Sequence, residues 1–263
     1  MQVVVYDGSF EGLLTAIFEI YEYKIKDAAI YKEGKANGSL FGQTKSITTD
    51  KSKADRIIKK LKEKISVNSL HQFYKTFLSE LPGIENVLLR YTQYVVAAVK
   101  SVENNFSHPD VLMLQQTSRK VHREKHRMEA FVRFQLTKDG LYYSIIQPDF
   151  NVLPLISRHF KERYADQRWL IYDAIRKYGL YYDLNKVEEV QLNFDIDRND
   201  KSQLASIHDE NEELYQKLWR QYFSSVNIPA RKNMKLHIMH MPKRYWKNLT
   251  EKMPGTNHIT DES

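Results

Sequence analysis

The chain opens on an unbroken apolar run, Val3-Val4-Val5-Tyr6, whose β-branched and aromatic residues predict a short buried strand over 2–6. Asp7-Gly8-Ser9 turns the chain. Ser9 is placed to cap a helix that carries Phe10, Leu13, Leu14, Ile17, Phe18 and Tyr21 on one broad face. A second strand is expected over Ala28 to Tyr31, a polar loop over Gly34 to Gly42, and a further short strand over Ser46 to Thr49. Asp50 caps the next helix, in which Ile57, Ile58, Leu61 and Ile65 recur at helical spacing. Its opposite side, Lys59, Lys60, Lys62 and Lys64, reads as a solvated face. Helices follow over 68–80 and 85–103, split by Leu81-Pro82-Gly83, and Asn104 to Pro109 then breaks the pattern.

From Val111 to about Met128 the spacing predicts a long helix, running into the alternating Phe131-Val132-Arg133-Phe134-Gln135-Leu136, which reads as a strand. Lys138-Asp139-Gly140 signals a hairpin turn, and the chain returns over Leu141 to Ile146. Asn151 caps a helix reaching about Tyr164, with Val152, Leu155, Ile156 and Phe160 inward and Pro154 in its first turn. A strand is then expected over 169–175, followed by a turn and returning strand within Lys177 to Leu184, and a further strand over 187–194. Lys138-Asp139-Gly140-Leu141-Tyr142-Tyr143 aligns with Lys177-Tyr178-Gly179-Leu180-Tyr181-Tyr182 at an offset of 39 residues, either an internal repeat or an accident of Gly-Leu-Tyr-Tyr. Asn211 to Val226 is an amphipathic helix ended by Pro229, Tyr245 to Leu249 form a last helical turn, and the residues past Pro254 are a tail.

These elements predict an α+β protein: a helix-rich N-terminal half with a short sheet, then an antiparallel sheet of about five strands with packed helices. The expected division is 1–108, 109–254 and a disordered tail, 255–263. No apolar run approaches a membrane span, Val95 to Val99 being typical, and Met1 to Tyr6 lack the basic start of an export signal. With no cysteine, disulfides, thiolate chemistry and iron–sulfur ligation are excluded, and the expected setting is cytoplasmic.

The net charge of +7 matters through its distribution. Arg119, Lys120, Arg123, Lys125 and Arg127 stand against Glu124 alone, and Arg231, Lys232, Lys235, Lys243, Arg244 and Lys247 stand against no acid. Between Asp183 and Asp200 six acids face only Lys186 and Arg198. Such segregation suits a polyanionic partner. Arg119, Lys120, His122, Arg123, His126, Arg127 and Arg133 are therefore candidate nucleic-acid contacts, unless the run instead pairs with the acidic 183–200 segment. Arg231, Lys232, Lys243, Arg244, Tyr245 and Trp246 interleave cations with rings, the pattern that holds single strands by phosphate neutralisation and base stacking, unless the rings are core.

Other chemistry is thinner. His122, His126 and Glu129 fall at i, i+4 and i+7 and converge on one helix face, a spacing open to a metal, but the surrounding cations oppose one and we expect none there. The tyrosine pairs 142/143 and 181/182 each put one ring on either sheet face. Asp7-Gly8-Ser9 offers helix N–H groups to an anion without a full phosphate-loop fingerprint. No catalytic triad, paired-carboxylate motif, glycosylase signature or cofactor motif is present, so no cofactor is expected.

In combination, Tyr6-Asp7-Gly8-Ser9-Phe10-Glu11-Gly12, His122-Arg123-Glu124-Lys125-His126-Arg127-Met128 with Phe131-Val132-Arg133-Phe134, and Asn151-Val152-Leu153-Pro154-Leu155 with His159-Phe160 resemble a bacterial family of unknown function that carries DNA-metabolism and DNA-repair labels. Trp169-Leu170-Ile171-Tyr172-Asp173, Leu218-Trp219-Arg220-Gln221-Tyr222-Phe223 and Met241-Pro242-Lys243-Arg244-Tyr245-Trp246 extend the resemblance over most of the chain. It implies a DNA-repair or DNA-modification setting beside a radical-SAM partner protein. Some relatives look fused to a uracil-DNA-glycosylase-like domain, whose activity does not carry over, and no catalytic residues transfer. The expectation is a DNA-binding accessory protein acting with a separate enzyme. The alternatives are a hydrolase or nuclease using His122, His126 and Glu129, or a scaffold docking an acidic partner.

Overall fold

The computed structural model describes residues 2–35, 44–191, 238–239, 241–249 and 252. Two compact units, Met1–His122 and Arg123–Ser263, divide the chain. The division falls inside a long helix; residues 104–108, where the apolar pattern breaks, lead into it.

The first unit contains β1 (Gln2–Tyr6), α1 (Phe10–Glu22), β2 (Ala28–Lys32), β3 (Thr44–Ser46), α2 (Lys51–Lys64), α3 (Val67–Phe77) and α4 (Ile84–Ala97). Its parallel sheet has the order β2-β1-β3. Central β1 buries Val3, Val4 and Tyr6, and α1 buries Leu13, Leu14, Ile17 and Ile20 in the same core. The caps follow local chemistry: Ser9 accepts the Gly12 N–H at 2.9 Å, and Asp50 accepts the Ser52 and Lys53 N–H groups. Lys59, Lys60 and Lys62 are exposed, as a solvated face requires, whereas Lys64 is half-buried and donates to the Ala98 carbonyl at 2.8 Å. The third strand begins two residues ahead of Ser46.

The turn after β1 holds its own anion. Asp7 Oδ1 accepts the Ser9 N–H and hydroxyl, at 2.8 and 2.7 Å, and Oδ2 accepts from Thr49 Oγ1 at 2.8 Å. A Cβ at Gly12 would lie 2.2 Å from Asp7 Oδ1, so only glycine lets α1 approach this carboxylate. The phosphate candidate at Asp7-Gly8-Ser9 thus becomes a self-satisfied turn.

Edge strand β2 is covered by a side chain. Asn86 of α4 accepts the Ile30 N–H at 2.8 Å and donates to the Ile30 carbonyl at 3.2 Å, so one amide takes the place of a neighbouring strand. Asn86→Leu should cost about 1–3 kcal/mol, because both groups of buried Ile30 lose their partner. Urea unfolding measures this, and an unchanged midpoint would show the edge to be held by other means.

The second unit begins within α5 (Pro109–Phe131) and continues through β4 (Gln135–Leu136), β5 (Tyr142–Ile146), α6 (Leu153–Arg163), β6 (Trp169–Asp173), β7 (Tyr178–Tyr182), β8 (Val187–Val190) and a 3-10 helix, Lys243–Asn248. The sheet order is β4-β5-β6-β7-β8. It is mixed, not wholly antiparallel: β5 and β6 run parallel, and the other neighbours are antiparallel. The reason is α6, a crossover that returns the chain so that β6 starts in the direction of β5. The class remains α+β.

The strand expected over 131–136 shrinks to Gln135–Leu136. Helix α5 runs on to Phe131, and Arg133 Nη1 donates to the carbonyls of Ala130 and Val132, at 2.7 and 3.2 Å, where a helix end leaves acceptors free. Phe134 packs against Phe160 and Tyr164, with ring centroids 5.7 and 5.3 Å apart. The alternation there reflects packing of successive side chains, not strand pairing. Val152 is the N-cap of α6; Asn151 instead accepts from the Tyr178 hydroxyl.

The 39-residue match is not a structural repeat. Gly140 sits in a turn at φ +76°, whereas its counterpart Gly179 lies within β7, where a Cβ would come 3.0 Å from the Ile171 carbonyl. The tyrosine pairs nevertheless meet at one end of the sheet, in cross-strand rows Tyr142–Trp169–Tyr182 and Tyr143–Leu170–Tyr181. The first row faces α6, whose Phe160 lies 6.2 Å from the Trp169 ring. In the second row Leu170 is buried and both tyrosines are half-buried. The amphipathic helix expected over 211–226, the strand residues past Gln191 and the tail lie outside the described residues. No helix among the described residues is long and apolar enough to cross a membrane.

Candidate nucleic-acid interface

The basic run of α5 is organised by its one acid. Val111, Leu114, Val121 and Met128 form the buried stripe of the helix, and Glu124 falls three residues past Val121 and four before Met128, on that stripe. Its carboxylate is 1% exposed. Oε1 accepts the backbone N–H of Asp149 at 2.9 Å. Oε2 accepts the Tyr245 hydroxyl at 2.5 Å and Arg244 Nη2 at 3.2 Å, and Arg127 Nη1 stands 3.9 Å away. A carboxylate this buried is stable only with such partners. The sequence reading counted Glu124 as a simple charge offset; its place on the apolar stripe was the available signal.

Two segments remote in sequence therefore meet at Glu124: the α5 turn bearing Arg123 and Arg127, and the 3-10 helix bearing Lys243, Arg244 and Lys247. Tyr245 is the anchor. Its ring is 3% exposed and packs 5.6 Å from Phe131, so it belongs to the core and offers no free stacking face. Burial, then the hydrogen bond and charge of Glu124, push its phenol far above the ordinary value, keeping it a donor. Partial burial of Arg244 opposes its charge, but the hydrogen bond to Tyr245 and the charges of Glu124 and Asp149 outweigh it and raise its pKa.

The loop carrying Asp149 follows the carboxyl end of β5 and is tied to the end of β6. Asp173 is fully buried, accepts from Arg176 Nη1 at 2.9 Å, and also accepts the Ile175 and Arg176 N–H groups. The same guanidinium donates to the carbonyls of Pro148 and Asp149, at 3.2 and 3.1 Å. The Glu124 cluster thus sits at the carboxyl ends of β5 and β6, the parallel pair of this sheet. Asp173 enters the sequence reading only as the last residue of the motif Trp169–Asp173, and Arg176 not at all, because nothing in their local pattern distinguishes them from turn residues.

The other candidates divide by exposure. Arg119, Lys120, His122, Arg123 and His126 lie on the exposed side of α5, and Lys243 and Lys247 are exposed on the 3-10 helix. Trp246 is half-buried; its indole N–H donates to the Met241 carbonyl at 3.0 Å, and the Lys243 and Lys252 amines lie 5.9 and 5.1 Å from its ring centroid. Arg133 serves as the α5 C-terminal cap. Arg231 and Lys232 lie outside the described residues.

The His122, His126 and Glu129 set does not form a ligand triad. Lys125 Nζ takes Glu129 at 2.6 Å, while His126 and His159 each stand 3.8 Å from it, and an ammonium on the carboxylate opposes a metal there. No cluster of three metal-ligating side chains occurs among the described residues. Of the described acids of the segment, Asp183 accepts the Asn185 and Lys186 N–H groups and Glu188 pairs with Lys186.

Fold and site define an α+β protein whose second unit presents a cationic, tryptophan-bearing surface built on a buried carboxylate. The family model for a domain of unknown function, DUF4130, matches residues 82–251, and the chain belongs to that family. The match takes in α4, α5, the five-stranded sheet and the whole Glu124 cluster. Comparison with curated proteins found no match.

Proposed function

We propose that this protein binds DNA as an accessory factor in cytoplasmic DNA repair or modification, handing its substrate to a separate enzyme. The observation that carries this reading is the gathering of Arg127 and Arg244 on Glu124, with exposed Arg123, Lys243 and Lys247 on the same two segments and the Trp246 ring beside them. Cations neutralise phosphates without reading sequence, and a partly accessible ring adds stacking to bases of any identity. The resemblance of the sequence to DNA-repair-labelled proteins supports DNA as the polyanion and a radical-SAM enzyme as the partner.

The test is oligonucleotide binding across a salt series. Each phosphate contact on a single strand contributes a slope of about −0.7 in log K against log salt. Arg123→Ala and Lys247→Ala should each weaken binding to all sequences and flatten the slope by about that amount. Trp246→Ala should cost about 1–3 kcal/mol on single strands with the slope nearly intact, provided its thermal midpoint is retained. Wild-type protein that is folded yet binds no DNA at low salt would leave the scaffold reading in its place.

A further inference from the structure

We infer that Arg127 and Arg244 form a phosphodiester subsite that the Asp149 carboxylate occupies in the free protein, so that Asp149 acts as an exchangeable gate on the nucleic-acid face. This rests on the DNA-binding reading and adds its regulation. Arg244 Nη2 has three oxygen neighbours: Tyr245 hydroxyl at 2.5 Å, Asp149 Oδ2 at 2.8 Å and Glu124 Oε2 at 3.2 Å. The nitrogen bears two hydrogens, so the three acceptors compete. Glu124 and Tyr245 are locked in the core, at 1% and 3% exposure, and cannot leave. The Asp149 side chain is 48% exposed and can.

Its backbone would not have to move. The Asp149 N–H is held by Glu124 and its carbonyl by Arg176, so rotation of the side chain alone releases Arg244 Nη2 from the Asp149 carboxylate. The displaced ion pair is of the exposed kind, worth about 0–1 kcal/mol, a weak competitor. A phosphodiester offers two oxygens to the planar guanidinium, a geometry that a carboxylate sharing one nitrogen does not use. Arg127, whose side chain is 29% exposed and which is also drawn toward Glu124 Oε2, supplies the second positive charge.

The experiment compares wild type, Asp149→Asn and Glu162→Gln for binding of a single-stranded DNA 20-mer across a salt series, with thermal midpoints measured alongside. Asp149→Asn keeps the side-chain shape and both backbone contacts, so it should fold normally. It should bind about fivefold tighter at low salt, with a slope steeper by about 0.7. Glu162, an exposed acid paired with Arg158, controls for net charge and should change little. Equal gains in the two variants would reduce the effect to bulk charge and overturn the gate. No gain in Asp149→Asn, with wild-type binding present, would overturn the gate and leave the DNA-binding reading standing. Absence of binding by both wild type and Asp149→Asn would remove the two together.

Discussion

Glu124→Ala should destabilise the second unit by about 3–5 kcal/mol, the cost of removing one partner from a buried ion-pair network. The loss is large because several groups are orphaned at once: the Tyr245 hydroxyl, the Asp149 N–H and the Arg244 guanidinium all lose their acceptor on Glu124. The 3-10 helix Lys243–Asn248 should loosen with them, since Tyr245 is its buried anchor. Tyr245→Phe isolates one contact of that set and should cost about 1–3 kcal/mol, leaving Glu124 short of a donor. Urea unfolding followed by tryptophan fluorescence reports both variants. A Glu124→Ala protein within about 0.5 kcal/mol of wild type, the range of an ordinary surface change, would show that the cluster does not hold the segment.

Trp169→Ala should cost about 3–5 kcal/mol by opening a cavity beneath α6. The ring is fully buried in cross-strand register with Tyr142 and Tyr182 and lies against Phe160 at 6.2 Å and Tyr182 at 5.5 Å. Trp169→Phe should behave differently. The indole N–H has no hydrogen-bond partner among the described residues, so replacing it removes an unsatisfied donor along with some volume. The two opposing effects should leave Trp169→Phe far closer to wild type than Trp169→Ala. Similar losses for the two variants in thermal unfolding would mean that the indole nitrogen is satisfied after all.

Sequence and structure agree where the controlling physics is local. The strand of three valines, the Ser9 and Asp50 caps and the exposure of Lys59, Lys60 and Lys62 on α2 were legible, because each depends on residues within one or two turns, and the α+β class followed from the order of such elements. The reading failed where distant residues decided. Alternation over 131–136 suggested a strand, but Phe131 and Phe134 take their places by packing on Tyr245 and on Phe160 and Tyr164. Repeated Gly-Leu-Tyr-Tyr suggested a repeat, but Gly140 permits a left-handed turn while Gly179 permits close strand approach.

The candidate surface divides the same way. Sequence by itself determined which segments are cationic, that Glu124 is the only acid in the first, and that rings accompany the second. Only the tertiary structure decided that Tyr245 is an anchor, that Trp246 is half-buried, and that Arg127 and Arg244 share one buried carboxylate. The reason is desolvation. A carboxylate excluded from water must gather donors from wherever the chain can bring them, and Glu124 draws its partners from residues 25 and 121 positions away, beyond the reach of any local pattern.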